Sequence, residues 1–420
     1  MRIWLVNHYA LSPSEAGGTR HYALARHLIR QGHDVTIIGA SFNHHTRKQR
    51  NCISGRLCAF EQCGEVPFLW LWVPGYRNNV TRLWNMLVFA LELWFGLGTR
   101  KLRKPDIVVG SSLTLFAALA AERIARRNRV PFVLEIRDLW PQTLIDMGMP
   151  PYHPVVVLFG AIERYLYRHA DKIVTLLPHA SEYMIPKGAR AADITWIPNG
   201  VDLEMMSYPR PPMVQEVFTV MYTGSHGLVN SLDSVLDAAT ILNEKAPGHF
   251  RFRLIGDGPD KAGLRKRAEA ENLSNVVFED SVAKQEVFEL LQDADACILT
   301  SKKTGLYRYG MSPNKLHEYM AAARPTVFAA STNHDPVTEA SAGITVAPED
   351  AVAIAQALME LAAMSMEDRW KMGLRARRYV EEHHDFPSLA LRLESVISSA
   401  LDSGEQVGSK VLEVRDRTAA

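Results

Sequence analysis

The sequence predicts an α/β protein built of two doubly wound domains. Apolar, strand-like runs alternate with helix-spaced stretches along nearly the whole chain, the alternation restarts near its middle, and 420 residues exceed one ordinary core. With 47% hydrophobic residues and 22% charged, the chain can bury two cores. Its formal charge of +1 lacks the cationic excess of a nucleic-acid binder, so nucleic acid is not an expected partner. The four cysteines, Cys52, Cys58, Cys63 and Cys297, lack paired zinc spacing; no metal site is expected from them with His44 and His45. The opening MRIWLVNHYA reads as a strand rather than a signal peptide, which with reduced thiols points to the cytoplasm.

The first domain is expected over residues 1–200. Arg2 to Val6 is a buried strand, and a polar loop ends in Gly17 and Gly18. A helix from Thr19 to Gln31 follows, stopped by Gly32, and then the strand DVTIIGA. Two glycines ahead of a helix let a ligand's charged group approach backbone amides, which makes them binding candidates. PDIVVGS, an alanine-rich helix and VPFVLEIRDLWP form a further βαβ unit. The charges at its strand end, Glu135, Arg137 and Asp138, sit where open parallel sheets bind ligands. Pro198-Asn199-Gly200 is a turn that can close this domain.

Residues 66–104 have the most unusual composition, with Phe68, Trp70, Trp72, Tyr76, Trp84, Phe89, Trp94 and Phe95 among Arg77, Arg82, Arg100, Lys101, Arg103 and Lys104. The apolar run from Leu83 to Gly98 falls short of the ~20 residues that span a bilayer and contains Glu92. A helix lying at a membrane surface fits better, and a core helix with a basic end is the competing reading.

The second domain is expected over residues 201–387, opening with the strand TVMYTG, the loop SHGLVNS and a helix from Leu232 to Asn243. The stretch RYGMSPNKLHEYMAAARPTVFAA organises the rest. Ser312 caps a helix in this reading, Pro313 opens it, and Leu316, Tyr319, Met320 and Ala323 form an apolar stripe until Arg324-Pro325 breaks it. Lys315 and Glu318 point off that stripe, and the amides near Asn314 lie at the positive end of the helix, suited to a phosphate. A final helix is expected over 388–401, packing back toward the first domain, with a polar tail over 402–420.

The pieces GGTRHYALARHLIRQGHDVTII, EIRDLWPQ, ERYLYRHADKIVTLLPHA, WIPNGVD, LIGDGPDK and SPNKLHEYMAAARP, taken together, resemble glycosyltransferase family 4, retaining enzymes of the GT-B fold. EIRDLWP with SPNKLHEYMAA is similar to the subgroup that adds N-acetylated amino sugars, such as fucosamine, to bacterial O-antigen or capsule. The resemblance implies two Rossmann-like domains, a UDP-sugar donor, no metal or other cofactor, and a polyprenyl-diphosphate-linked saccharide acceptor at the inner face of the plasma membrane.

Four positions depart from the family pattern. Gly310 stands where the first of two glutamates would precede Glu318; Ser225 and Asn230 stand at the usual arginine and lysine; Arg137 before Asp138 replaces a histidine. The donor's diphosphate is therefore expected to meet Lys315 or Arg308, the loop Gly224, Ser225, His226 and Gly227, and the approach through Gly310, Met311, Ser312, Pro313 and Asn314. Lys315, Glu318, Arg137 and Asp138 are the catalytic candidates, Gly17 and Gly18 binding ones. A UDP-sugar 2-epimerase and a non-catalytic nucleotide-sugar-binding protein remain as alternatives.

Overall fold

The structure is a computed structural model. It describes residues 1–417 other than 16, 45 and 214, so the expectations touching His45 and the last three residues of the tail lie outside it. The chain divides into two units, Met1–Pro198 with Phe386–Ala420, and Asn199–Asp385.

In the first unit, β1 (Arg2–Val6), α1 (Arg20–Arg30) and β2 (Asp34–Ala40) open the fold, followed by a small hairpin, β3 (Phe42–Asn43) and β4 (Lys48–Gln49). Next come β5 (Cys58–Cys63), β6 (Val66–Leu71), α2 (Asn79–Phe95), β7 (Ile107–Ser111), α3 (Leu115–Asn128) and β8 (Phe132–Ile136). The unit continues with α4 (Gln142–Asp146), α5 (Pro154–His169), β9 (Lys172–Thr175), α6 (Ala180–Met184) and β10 (Ile194–Trp196). The sheet order is β10-β9-β8-β7-β1-β2-β6-β5, parallel except for the edge strand β5. Strands covered on both faces need apolar residues at every position, which is why β7 and β8 read as continuous hydrophobic runs.

The second unit runs through β11 (Phe218–Thr223), α7 (Leu232–Lys245), β12 (Phe250–Ile255), α8 (Lys261–Ala270), β13 (Val276–Glu279), α9 (Lys284–Leu291) and β14 (Ala296–Thr300). It ends with α10 (Asn314–Ala321), β15 (Thr326–Ala329), α11 (Pro336–Glu339), β16 (Gly343–Val346), α12 (Ala351–Ala363) and α13 (Met366–His383). Its six parallel strands are ordered β13-β12-β11-β14-β15-β16. Val235, Leu236 and Leu358 fill one face of this sheet; Leu316, Tyr319, Met320 and Val380 fill the other. The strand order reverses between β11 and β14, and the loops leaving that point are where an open α/β sheet binds its ligand. In the first unit the reversal falls between β1 and β7.

Three expectations need correction. Residues 66–104 are not one surface element: β6 buries Phe68 and Trp70 in the core, Phe89 is also buried, and only α2 and its flanks expose aromatics, at Trp72, Trp84, Trp94 and Phe95. The last helix, α14, runs Phe386–Arg417, so residues expected as a polar tail continue it; Leu389, Leu393 and Ile397 join the first unit's core. In the central stretch Pro313 is the cap and Asn314 the first helical residue. Ser312 is drawn away by Asn199, whose backbone N–H donates to Ser312 Oγ at 2.8 Å and whose Nδ2 donates to the Ser312 carbonyl at 2.7 Å.

Candidate functional site

The second unit's candidate site is built at the strand-order reversal. β11 ends at Thr223, and the chain leaves through Gly224, Ser225, His226 and Gly227. Gly224 takes φ +134, and a Cβ there would lie 2.2 Å from Lys315 Cε. Gly256, at φ +148 after β12, has no room either, since its Cβ would meet the Gly224 carbonyl oxygen at 1.9 Å. Two glycines therefore let the loop lie against its neighbour and let a lysine cross above it.

That lysine comes from the first turn of α10. Tyr319 fixes the helix to β11, its hydroxyl accepting the Thr223 N–H at 2.8 Å and donating to the Thr223 carbonyl at 3.1 Å. The other end is held by two buried arginines. Arg324 donates to the carbonyls of Ala322 and Ala323, and Arg377 to that of Ala321 at 3.0 Å, satisfying acceptors that a helix end leaves open. The apolar stripe anchors one side, but His317 and Glu318 are buried as well, so α10 has no solvated face. The carboxylate expected to point off the stripe at Glu318 is thus an enclosed one.

Lys315 Nζ donates to the Tyr222 hydroxyl and, at 3.0 Å, to Asn230 Oδ1. Tyr222 donates its own O–H to the Ser225 carbonyl at 2.6 Å, and Asn230 Nδ2 donates to the same carbonyl at 2.9 Å. Both acceptors of the ammonium are neutral, so its charge is directed but not cancelled. Burial pulls Lys315 down to about 8 and pushes the Tyr222 phenol up. His226 is held neutral, pushed to about 4 by burial and then by the charges of Lys261 and Lys315. Nearby cations are otherwise engaged: Lys261 with Asp280 at 2.8 Å, Lys302 with Glu349 at 3.0 Å. Glu318 pairs with Lys284, the first residue of α9.

The loop amides contribute selectively. Those of Gly224 and His226 already donate to the carbonyls of Ile255 and Asp257, at 2.8 and 2.9 Å. Asn314 and Lys315 open α10, where a helix leaves its amides without intrahelical partners, and Leu316 N–H bonds back to Pro313 at 3.1 Å. Gly310 is buried at φ +95, a left-handed conformation that a glutamate side chain disfavours. Arg308 is exposed, its guanidinium over the Tyr309 ring at 4.9 Å.

The remaining candidates belong to the first unit. Gly17 takes φ +131 ahead of α1. Arg137 and Asp138 follow β8, Asp138 exposed, with the Arg137 backbone N–H on Ser112 Oγ at 3.3 Å. Glu135 is a structural anchor: it accepts from Arg20 Nε at 2.9 Å and His21 Nε2 at 2.7 Å, and these two partners hold it well below the usual carboxylate range despite burial. Arg20 also donates to the Ile197 and Pro198 carbonyls, tying the start of α1 to the chain after β10. Tyr222 and Lys284 escaped sequence reasoning. A tyrosine inside an apolar strand and a lysine opening a surface-like helix carry no signal of the partners that folding supplies.

Comparison with known proteins agrees with this architecture. Residues 16–200 match a glycosyl transferase 4-like domain and residues 217–364 match the glycosyl transferases group 1 domain. WcaI of Escherichia coli K12, named as a colanic acid biosynthesis glycosyl transferase, is 25% identical over 338 residues, 77% of this chain and 82% of WcaI. Among solved structures, sucrose-phosphate synthase of Thermosynechococcus elongatus aligns with a TM-score of 0.76 at 15% identity, over 96% of this chain and 99% of that one. HepE of Anabaena, in complex with UDP and glucose, aligns with a TM-score of 0.65 at 12% identity, over 94% and 99%. The chain thus carries a glycosyl transferase 4-like domain on its first Rossmann-like unit and a glycosyl transferases group 1 domain on its second, in the GT-B fold.

Proposed function

We propose that the chain is a retaining glycosyltransferase that moves a sugar, of the N-acetylated amino-sugar kind, from a UDP-sugar to a polyprenyl-diphosphate-linked saccharide in bacterial surface polysaccharide synthesis. The observation that carries this reading is the uncancelled ammonium of Lys315 over the Gly224 loop, bonded to Asn230, the position of the family's lysine. The cation that the loop lacks is supplied from the helix. The naming of WcaI for colanic acid and the UDP and glucose bound to HepE support the polymer and the donor class.

In this mechanism the buried Glu318 carboxylate accepts the ribose hydroxyls, while Lys315 and the first amides of α10 face the diphosphate. As the bond from the anomeric carbon to the phosphate oxygen breaks, Lys315 stabilises the charge gathering on the leaving UDP. The acceptor hydroxyl attacks from the same face, its oxygen bonds to the anomeric carbon, and its proton passes to the departing phosphate. No enzyme nucleophile is required.

A lipid-linked acceptor also suits α2. This helix turns polar Asn85 and Glu92 inward beside Phe89 and Leu93, and turns Val80, Leu83, Trp84, Leu91, Trp94 and Phe95 outward. Exposed Arg77 precedes it; Arg100, Lys101, Arg103 and Lys104 follow. By length and composition 79–101 would pass for a membrane-crossing stretch. Its Gly96 break, following 3-10 turn and core-packed inner face support docking on an anionic inner leaflet instead.

The test is UDP release from a panel of UDP-sugars with and without polyprenyl-diphosphate saccharides. Acceptor-dependent release, lost in Glu318→Ala, is expected. Isomerised UDP-sugar without acceptor would establish an epimerase, and binding with no release a non-catalytic protein.

A further inference from the structure

Glu318 reaches the candidate site with a companion whose part in it has yet to be assigned. Its side chain is 9% exposed, while Lys284, whose Nζ meets Glu318 Oε1, is 30% exposed. The pair therefore opens toward solvent on the lysine side. The two residues come from different helices, α9 and α10, so their meeting is a tertiary arrangement rather than a consequence of helical spacing. Lys284 is itself fixed, because the first turn of α9 is closed by Glu286 Oε2 accepting the Ala283 N–H at 3.1 Å.

We propose that Lys284 is a positioning residue for the nucleotide: it holds the Glu318 carboxylate in the single orientation that receives a ribose diol, and cancels its charge beside the diphosphate seat. The inference rests on the reading of Glu318 given above. Two physical arguments support it. A buried carboxylate with one oxygen held by an ammonium has little freedom to rotate, and its second oxygen remains directed for a hydroxyl donor. Glu318 lies one turn from Lys315, and its charge acts on that lysine. Unneutralised, it would offset the attraction that Lys315 exerts on a diphosphate; with Lys284 in place the three side chains keep one positive charge. An ammonium has three N–H donors, and the two not directed at Glu318 are available to the nucleotide's oxygens.

The test uses the full-length protein, with UDP and 2′-deoxy-UDP as probes in titration calorimetry and UDP-sugar turnover alongside. The parent is expected to prefer UDP. Lys284→Met is expected to weaken UDP by about tenfold to a hundredfold, the loss of a charged hydrogen bond, and to erase most of the preference over 2′-deoxy-UDP. The donor KM should rise while kcat changes little, and Lys284→Arg should restore most of both. A pair that merely joins α9 to α10 would lower the active fraction, and thus kcat, without changing the preference between probes. The proposal is overturned if Lys284→Met binds UDP within about twofold of the parent and keeps the preference. Glu318→Ala separates the two levels. If it too keeps the preference, the ribose seat at Glu318 fails with it; if it alone loses the preference, only the role of Lys284 is refuted.

Discussion

Replacing Lys315 by methionine removes one charge and leaves most of the stem that crosses Gly224. An ammonium about 4 Å from a phosphate oxygen, at an effective dielectric near 20, contributes about 4 kcal/mol. Deleting one preorganised donor from a charge-stabilising site costs about 2.7 to 4 kcal/mol in other enzymes, so the two estimates agree. The expected result is a fall of about a hundredfold to a thousandfold in kcat/KM for the UDP-sugar, with the circular dichroism spectrum unchanged. The pH profile gives a second, independent readout. Burial lowers Lys315 to about 8, so the free enzyme carries the ammonium below that pH and loses it above. The parent's kcat/KM should therefore decline as pH rises through about 8, and the methionine variant should lack that limb. A variant within about threefold of the parent, or one that keeps the alkaline limb, would refute the assignment of Lys315 to the diphosphate.

Other consequences follow from the same geometry. Gly224→Ala places a methyl group where Lys315 Cε lies, at a backbone angle that disfavours side chains; it should cost about 1 to 3 kcal/mol in urea melts and lose activity as Lys315→Met does. Gly310→Glu, which restores the family's acidic pattern, should reduce stability by about 1 to 2 kcal/mol without raising turnover, because Gly310 is buried at φ +95. A gain in kcat there would count against this expectation. Glu92 is buried in α2 and pushed up to about 8 by burial alone. A carboxyl whose folded value is raised leaves its stability contribution intact at low pH and loses it as pH rises toward 8. Glu92→Gln should accordingly match the parent near pH 5 and melt higher than it at pH 8.5; equal melting at both would count against a buried, unpaired acid.

The two-unit α/β architecture was legible because parallel strands covered on both faces must be apolar throughout, and runs such as IVVGS and FVLEI stand out between glycine- and proline-marked turns. The restart at TVMYTG was legible for the same reason. What stayed hidden was pairing across the fold. Glu135 looked like a site acid at a strand end, but sequence carries no record that Arg20 and His21, more than a hundred residues earlier, would engage both its oxygens. Ser312 had the chemistry of a helix cap, yet its hydroxyl accepts the Asn199 backbone N–H instead, and the cap passes to Pro313. The aromatic stretch was one compositional signal and two structures, since β6 is covered on both faces and buries Phe68 and Trp70 whereas helical spacing sends Trp84 and Trp94 outward.

The departures from the family pattern are where sequence and structure inform each other most. A glycine at 310 and uncharged residues at 225 and 230 read alone as a damaged site. The placement of Lys315 changes that, because Asn230 and Tyr222 are the groups that aim its ammonium, and Gly224 is the residue that lets it pass. A lysine at position 230 would set two ammonium groups against each other within hydrogen-bonding distance, so the asparagine there is what the helix-borne cation requires. Loss at one position and gain at the other are then a single arrangement. It implies a strict order of effects: Asn230→Lys alone should weaken UDP binding, whereas Asn230→Lys combined with Lys315→Met should recover part of it. A charge placed anywhere else on the loop should not show this dependence on Lys315, which makes the double variant the sharpest measure of whether the two positions share one function.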